Sequence, residues 1–136
     1  YYFEVHEEVE NAVIFPFLIQ VFVENAAKHA LTLETVPLIS VTVYPEDRGD
    51  EKYVNIYISD TGNGFPEETL QSLKAGEDIS EHGKHIGIEN CLKRFHYYYG
   101  DSGEIHFDNS PLGGAIVDIH IPYKTGGEEH ETIARG

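Results

Sequence analysis

The sequence predicts a two-layer α/β sandwich, a mixed β-sheet with helices on one face. Alternating apolar residues such as Val54, Ile56 and Ile58 mark strands, and they recur along the chain. Two long segments, Phe17 to Leu31 and Ile86 to Tyr99, instead space their apolar residues at helical intervals and contain no proline. The resulting order is strand, helix, hairpin, glycine loop, polar linker, helix, hairpin, which stacks the helices on one side of the sheet.

The chain has 136 residues, of which 40% are hydrophobic and 24% charged, enough for one domain with a real core. Its net charge of −15 repels nucleic acid and anionic membranes, which argues against both as partners. Cys91 is the only cysteine, so there is no internal disulfide and a reducing compartment suits the chain. No run is long and apolar enough to span a bilayer and no signal peptide opens the chain. The lack of methionine and the immediate start on strand-like residues suggest a domain excised from a longer protein.

Tyr2 to Val9 alternates weakly and reads as an edge strand. Asn11 to Phe15 is a connector, and Pro16 suits the first turn of the helix running to Leu31. On that helix Ile19, Phe22, Val23, Ala26 and Ala30 form an apolar stripe, and Gln20, Glu24 and Lys28 a polar one. Asn25 and His29 fall on the seam between the stripes, where a half-covered ligand is reachable, although a solvated surface is the plainer reading of the helix alone. Pro37 to Tyr44 and Lys52 to Ser59 are strands joined by a polar loop, Pro45 to Glu51. Pro66 to Leu73 is a short helix, and Lys74 to Lys84 a polar, glycine-containing segment placed like a lid. The helix from Ile86 to Tyr99 has Ile88, Cys91, Leu92, Phe95, Tyr98 and Tyr99 as its apolar face, with Gly100 as its stop. Cys91 in that stripe is core filler, not a nucleophile. Glu104 to Asn109 and Ala115 to Tyr123 are two further strands around Pro111-Leu112-Gly113-Gly114. The domain is expected over 1–124, with 125–136 as a disordered tail.

The chemistry concentrates after the strand that ends at Ser59, in Asp60-Thr61-Gly62-Asn63-Gly64-Phe65. A strand end holds the carboxylate in place, and the two glycines leave room for a ligand against the backbone. Three readings compete: a plain tight turn, the Asp-Thr-Gly of aspartic proteases, and a nucleotide pocket in which the carboxylate accepts from an exocyclic amine. Gly83-Lys84-His85-Ile86-Gly87 opens the second long helix, whose free amides and positive dipole end suit phosphate. The protease reading needs a flap and a self-complementary half, and this chain spends its middle on helices instead. His82 and His85 stand at i,i+3, but two ligands on a lid do not make a metal site.

Three segments, "PFLIQVFVENAAKHA", "DTGNGF" and "GIENCLKRFHYYYG", resemble the asparagine box and the two glycine boxes of the GHKL ATP-binding superfamily. More narrowly they are similar to the catalytic domain of sensor histidine kinases of the LytS type. The resemblance covers residues 1–123 with the boxes in family order. It implies the Bergerat fold, and it implies a role for individual residues. Asn25 matches the Mg²⁺ ligand, Lys28 the basic residue facing the phosphates, and His29 the position packing against the purine. Asp60 matches the carboxylate that accepts from the adenine N6 amine, and Gly62 and Gly64 the glycines under base and sugar. Gly83 and Gly87 match the phosphate-side glycines, and Glu24 is implied to organise the metal or its water.

Val21 stands where hydrolytic relatives carry a water-activating carboxylate, which suits a kinase that must keep ATP intact. His85 replaces a glycine, and Ala115 a threonine, common in the family. The resemblance thus implies transfer of the γ-phosphoryl group of Mg·ATP to a histidine on a dimerisation domain outside this chain, then to a response regulator. It implies a cytoplasmic domain of a membrane-anchored bacterial homodimer, with an isolated fragment that does not label itself. The rival reading is a regulatory or dimerisation module of the same fold that has lost nucleotide.

Overall fold

A computed structural model describes residues 2–14, 18–30, 38–76, 86–124 and 131–132. The first strand, β1 (Tyr2–Val5), is followed by β2 (Val13–Ile14), helix α1 (Leu18–Ala30), β3 (Ile39–Arg48) and β4 (Glu51–Asp60). Helix α2 (Glu67–Ala75), helix α3 (Ile86–Tyr99), β5 (Glu104–Asn109), β6 (Ala115–Pro122) and β7 (Glu131–Thr132) complete the order. Five strands form one sheet in the order β1-β3-β4-β6-β5. β1 is parallel to β3 at one edge and the other pairs are antiparallel, so the sheet is mixed as expected. A parallel pair needs a crossover, and α1 lies within the one that joins β1 to β3.

The rows Val43–Ile56–Ile119 and Val41–Ile58–Val117 run across three strands and face the helices. Leu18, Ile19 and Phe22 of α1, Leu70 and Leu73 of α2, and Ile88, Cys91 and Phe95 of α3 close over them. Each such side chain contributes about 1.5–3 kcal/mol relative to exposure, so this layer dominates stability. Phe107 of β5 lies at its margin, tilted against Phe22 with ring centroids 6.0 Å apart. Burial pushes the Cys91 thiol up to about 12, which agrees with its reading as core filler.

Several boundaries differ from expectation. The edge strand stops at Val5 and Glu7–Val9 forms a 3₁₀ turn, in which the His6 ring accepts from the Glu8 N–H and Val9 is fully buried. The polar loop predicted over Pro45 to Glu51 is instead strand on both sides, with only Gly49 and Asp50 turning. Opposite charges face each other there as Asp47–Lys52 and Arg48–Glu51, which favours pairing over a loop. Tyr98 is not part of the apolar face of α3, being 42% exposed, while Leu92 and Tyr99 are half-buried. Two residues of the tail predicted to be disordered, Glu131–Thr132, pair antiparallel with Val13–Ile14. The predicted helix start at Pro16 and Phe17, the strand start at Pro37 and most of the segment between Lys74 and Lys84 lie outside the described residues. Among the described residues no helix is long and apolar enough to cross a membrane.

The open face of the sheet carries a polar network. His120 Nδ1 lies 2.7 Å from Glu46 Oε2, and its Nε2 lies 3.2 Å from Asp118 Oδ2. Burial alone pushes this imidazole down, but the two carboxylates outweigh burial and raise its pKa above the ordinary 6.5. The same hydrogen bond to His120 is the main influence holding Glu46 below the usual carboxylate value. Asn55 presents its Nδ2 to His120 at 2.9 Å and leaves its buried Oδ1 without a partner. Turning the amide over would let Oδ1 accept from the ring whenever the facing nitrogen carries a proton. Arg48 and Glu104 flank the cluster with a 3.2 Å ion pair, and the His106 ring stands edge-on to His120.

A raised histidine stabilises the fold fully below its unfolded pKa, and that contribution is lost as pH climbs through the folded value. Thermal melts should therefore show stability falling as pH rises from about 6.5 toward 8. His120→Gln should flatten that fall, and an unchanged slope would show that His120 does not carry it.

Candidate functional site

Asp60 is the last residue of β4, one residue beyond the strand end expected at Ser59, and is half-buried. Its Oδ1 accepts from the Gly62 N–H at 2.8 Å and from the Ala115 N–H at 3.3 Å. Among the described residues Oδ2 makes no hydrogen bond, so one face of the carboxylate is fixed and the other left open. Thr61 fastens the loop to the start of β3: its N–H donates to the Leu38 carbonyl, and its Oγ1 accepts from the Leu38 N–H at 2.8 Å.

The glycines serve close approach. Gly64 has φ +79°, and a Cβ there would meet the Asn109 Oδ1 at 2.6 Å. Gly114, in the β5–β6 turn, has φ +96°, and its Cβ would fall 1.7 Å from the Asp60 carbonyl oxygen. The turn containing Gly113 and Gly114 therefore belongs to the same site as Asp60, Gly62 and Gly64. Sequence reasoning took Pro111 to Gly114 only as a turn, although paired glycines in a hairpin were a signal of close backbone approach. Asn109 was missed as well: it pairs with both backbone groups of Phe65.

Asn25 sits half-buried on α1, one turn beyond Val21. Gly87 lies in the first turn of α3, with Val21 Cγ1 4.0 Å from its Cβ position, so the start of α3 packs on the Val21 side of α1. Glu24 is exposed and its Oε1 accepts from Gln20 Nε2 at 2.8 Å. Lys28 and His29 occupy the last turns of α1, but their side chains, like all of Gly83, lie outside the described residues. The structure thus brings Asp60, Gly62 and Gly64 together and sets Gly87 against α1. No direct contact between Asn25 and Asp60 is present among the described hydrogen bonds.

Phe65 and Phe107 tie the two parts underneath. Phe65 is buried edge-on to Phe107 at 5.9 Å, and Phe107 in turn packs on Phe22, three residues before Asn25. A separate groove of about 620 Å³ opens between α2, α3 and β5, floored by Leu73, Leu92, Phe95, Ile105 and Phe107. It contains none of Asn25, Asp60, Gly62 or Gly64, and an open cleft counts for less here than the free carboxylate oxygen beside the glycine backbone.

What the site can do chemically follows from its parts. A half-buried carboxylate with one oxygen outside the described hydrogen bonds can accept from a planar amine-bearing ligand. The half-buried Asn25 amide offers one neutral oxygen, which suits a magnesium ion whose other ligands come from phosphate and water. No group of three or more His, Cys, Asp or Glu side chains able to hold a metal occurs among the described residues.

Residues 13–125 match the family described as histidine kinase-, DNA gyrase B-, and HSP90-like ATPase. The sensor protein LytS of Enterococcus faecalis is 33% identical over 133 residues, covering 98% of this chain and 21% of the relative. The sensor histidine kinase/phosphatase LytS of Staphylococcus aureus is 31% identical over 126 residues, covering 92% of this chain and 21% of the relative. The chain therefore spans about a fifth of the length of these curated relatives. Among solved structures, a nucleotide-free catalytic domain of the histidine kinase ThkA aligns with TM-score 0.57 and 21% identity, over 90% of this chain and 78% of that one. Full-length ShkA in complex with AMPPNP aligns with TM-score 0.51 and 14% identity, over 93% of this chain and 26% of that one. At these identities the structures support the fold alone.

Proposed function

Since the chain belongs to the histidine kinase-, DNA gyrase B-, and HSP90-like ATPase family, we propose that it is the ATP-binding catalytic domain of a LytS-type sensor histidine kinase. The observation that carries the reading is Asp60, held through Oδ1 by two backbone N–H groups with Oδ2 left to accept from adenine. The LytS sensor proteins similar over nearly the whole chain support the kinase assignment within the family.

In this reading Gly62 and Gly64 lie under the base and sugar, and His29 packs against the purine. Asn25 holds Mg²⁺, Lys28 faces the phosphates, and Gly83 and Gly87 let the start of α3 offer its free amides to them. Glu24, exposed and bonded to Gln20, would act on the metal only through water. Mg·ATP, when bound, supplies the γ-phosphoryl group for a histidine on a separate dimerisation domain, from which it passes to a response regulator. The work of this chain is positioning and charge neutralisation, with no covalent step of its own. Val21, apolar and packed by Gly87, offers no base to activate water, so bound nucleotide is preserved. Ala115 contributes its backbone N–H to Asp60, a role that does not need the threonine hydroxyl common in the family. We further infer a cytoplasmic placement in a membrane-anchored homodimer.

The test is thermal stabilisation by an ATP analogue with Mg²⁺, for which a ligand at a hundred times its Kd gives about 2.7 kcal/mol. No shift at millimolar nucleotide would favour the regulatory module instead. Asn25→Ala should weaken Mg·ATP binding strongly in calorimetry while leaving adenosine nearly unaffected. An equal loss for both ligands would make Asn25 a structural residue.

A further inference from the structure

Asn109 ends β5 opposite Ala115 of β6, and its side chain reaches back to the glycine loop. Oδ1 accepts from the Phe65 N–H at 2.8 Å, and Nδ2 donates to the Phe65 carbonyl at 2.9 Å. One carboxamide thus satisfies both backbone groups of one residue, as a neighbouring strand would. Aspartate lacks the donor, and serine lacks the second group. The absence of a side chain at Gly64 is what admits the amide, since a Cβ there would stand 2.9 Å from Asn109 Cγ as well. Phe65 is fastened a second time to β5 through its ring, edge-on to Phe107 two residues before Asn109. At the other end of the loop, Asp60 is held by Ala115, the register partner of Asn109.

We propose that Asn109 is a positioning residue for nucleotide recognition, locking Phe65 so that Asp60, Gly62 and Gly64 meet the base in one fixed arrangement. The proposal rests on the ATP reading. A loop with two glycines has many conformations to lose on binding, and the Asn109 clamp removes them before the ligand arrives. A residue acting this way affects the base-binding part equally whether or not phosphates are present. That separates Asn109 from Asn25, whose effect depends on the metal and the phosphates.

The experiment uses the full chain with Asn109→Ala and the near-isosteric Asn109→Asp. Amide exchange at Phe65 is measured without nucleotide, and ATP and adenosine affinities by calorimetry. Asn109→Ala should speed Phe65 exchange and weaken ATP and adenosine by the same factor, about tenfold or more. Asn109→Asp keeps the acceptor for the Phe65 N–H but turns a second oxygen against the Phe65 carbonyl. Its affinity relative to wild type should recover as pH falls toward the ordinary aspartate pKa of about 3.9, because a protonated carboxyl can donate where the amide did. If the alanine variant does not fold, the aspartate variant decides by itself. Wild-type adenosine affinity in the variants, or unchanged Phe65 exchange, would overturn the proposal. A wild-type chain that binds no nucleotide sinks the ATP reading and this proposal's role in it, while the exchange data still show whether Asn109 fixes the loop.

Discussion

Gly114→Ala should lower the unfolding free energy by about 3–5 kcal/mol and displace Asp60. Two effects add. The residue has φ +96°, a conformation strained for any L side chain. The new methyl would also fall 1.7 Å from the Asp60 carbonyl oxygen and 2.6 Å from its carbon. Those are backbone atoms at the end of a central strand, so the hairpin tip must move instead. Moving it breaks the Ala115 N–H bond to Asp60 Oδ1, and nucleotide affinity should fall together with stability. Gly49→Ala is the control: its φ is +62° but nothing lies within 4 Å, so only the conformational term of about 1–2 kcal/mol remains. Urea denaturation of both variants checks this, and equal stabilities would mean that the packing of Gly114 on Asp60 does not matter.

Asp60→Asn should cost about 2–4 kcal/mol in ATP affinity while the protein stays folded. The amide oxygen can take the place of Oδ1 and keep both bonds from Gly62 and Ala115. Its NH₂ then occupies the open side, where the adenine N6 amine would meet it as donor against donor. Guanine presents a carbonyl oxygen at the corresponding position, so the variant should also lose part of any preference for ATP over GTP. An Asp60→Asn protein that binds ATP as tightly as wild type would show that the open oxygen does not read the base.

Much of the fold was legible because it rests on local patterns. The helix from Ile86 to Tyr99 matches α3, and β5 matches its predicted span, since periodicity and stop signals act over a few residues. The extension of β3 and β4 through Asp47, Arg48, Glu51 and Lys52 was not legible. A polar, charged run reads as a loop until its cross-strand partners are known. Tyr98 misled for a related reason: helical spacing places it beside Phe95, but it is 42% exposed and lies edge-on to Tyr97, outside the core cluster. Of the candidate site, the carboxylate at the end of β4 and the two glycines after it were visible as a pattern within six consecutive residues, but the contact with Asn109 that requires Gly64 was not. Asn109 and Gly114 were not, because each acts on a loop far away in sequence. Neither periodicity nor propensity reports such a contact.

The most direct measurement is a competition titration in which ATP and GTP displace a fluorescent ATP analogue from the wild-type chain in the presence of Mg²⁺. A carboxylate that accepts from adenine predicts displacement by ATP at far lower concentration than by GTP. Equal displacement by the two nucleotides, or no binding of the analogue at all, would contradict it.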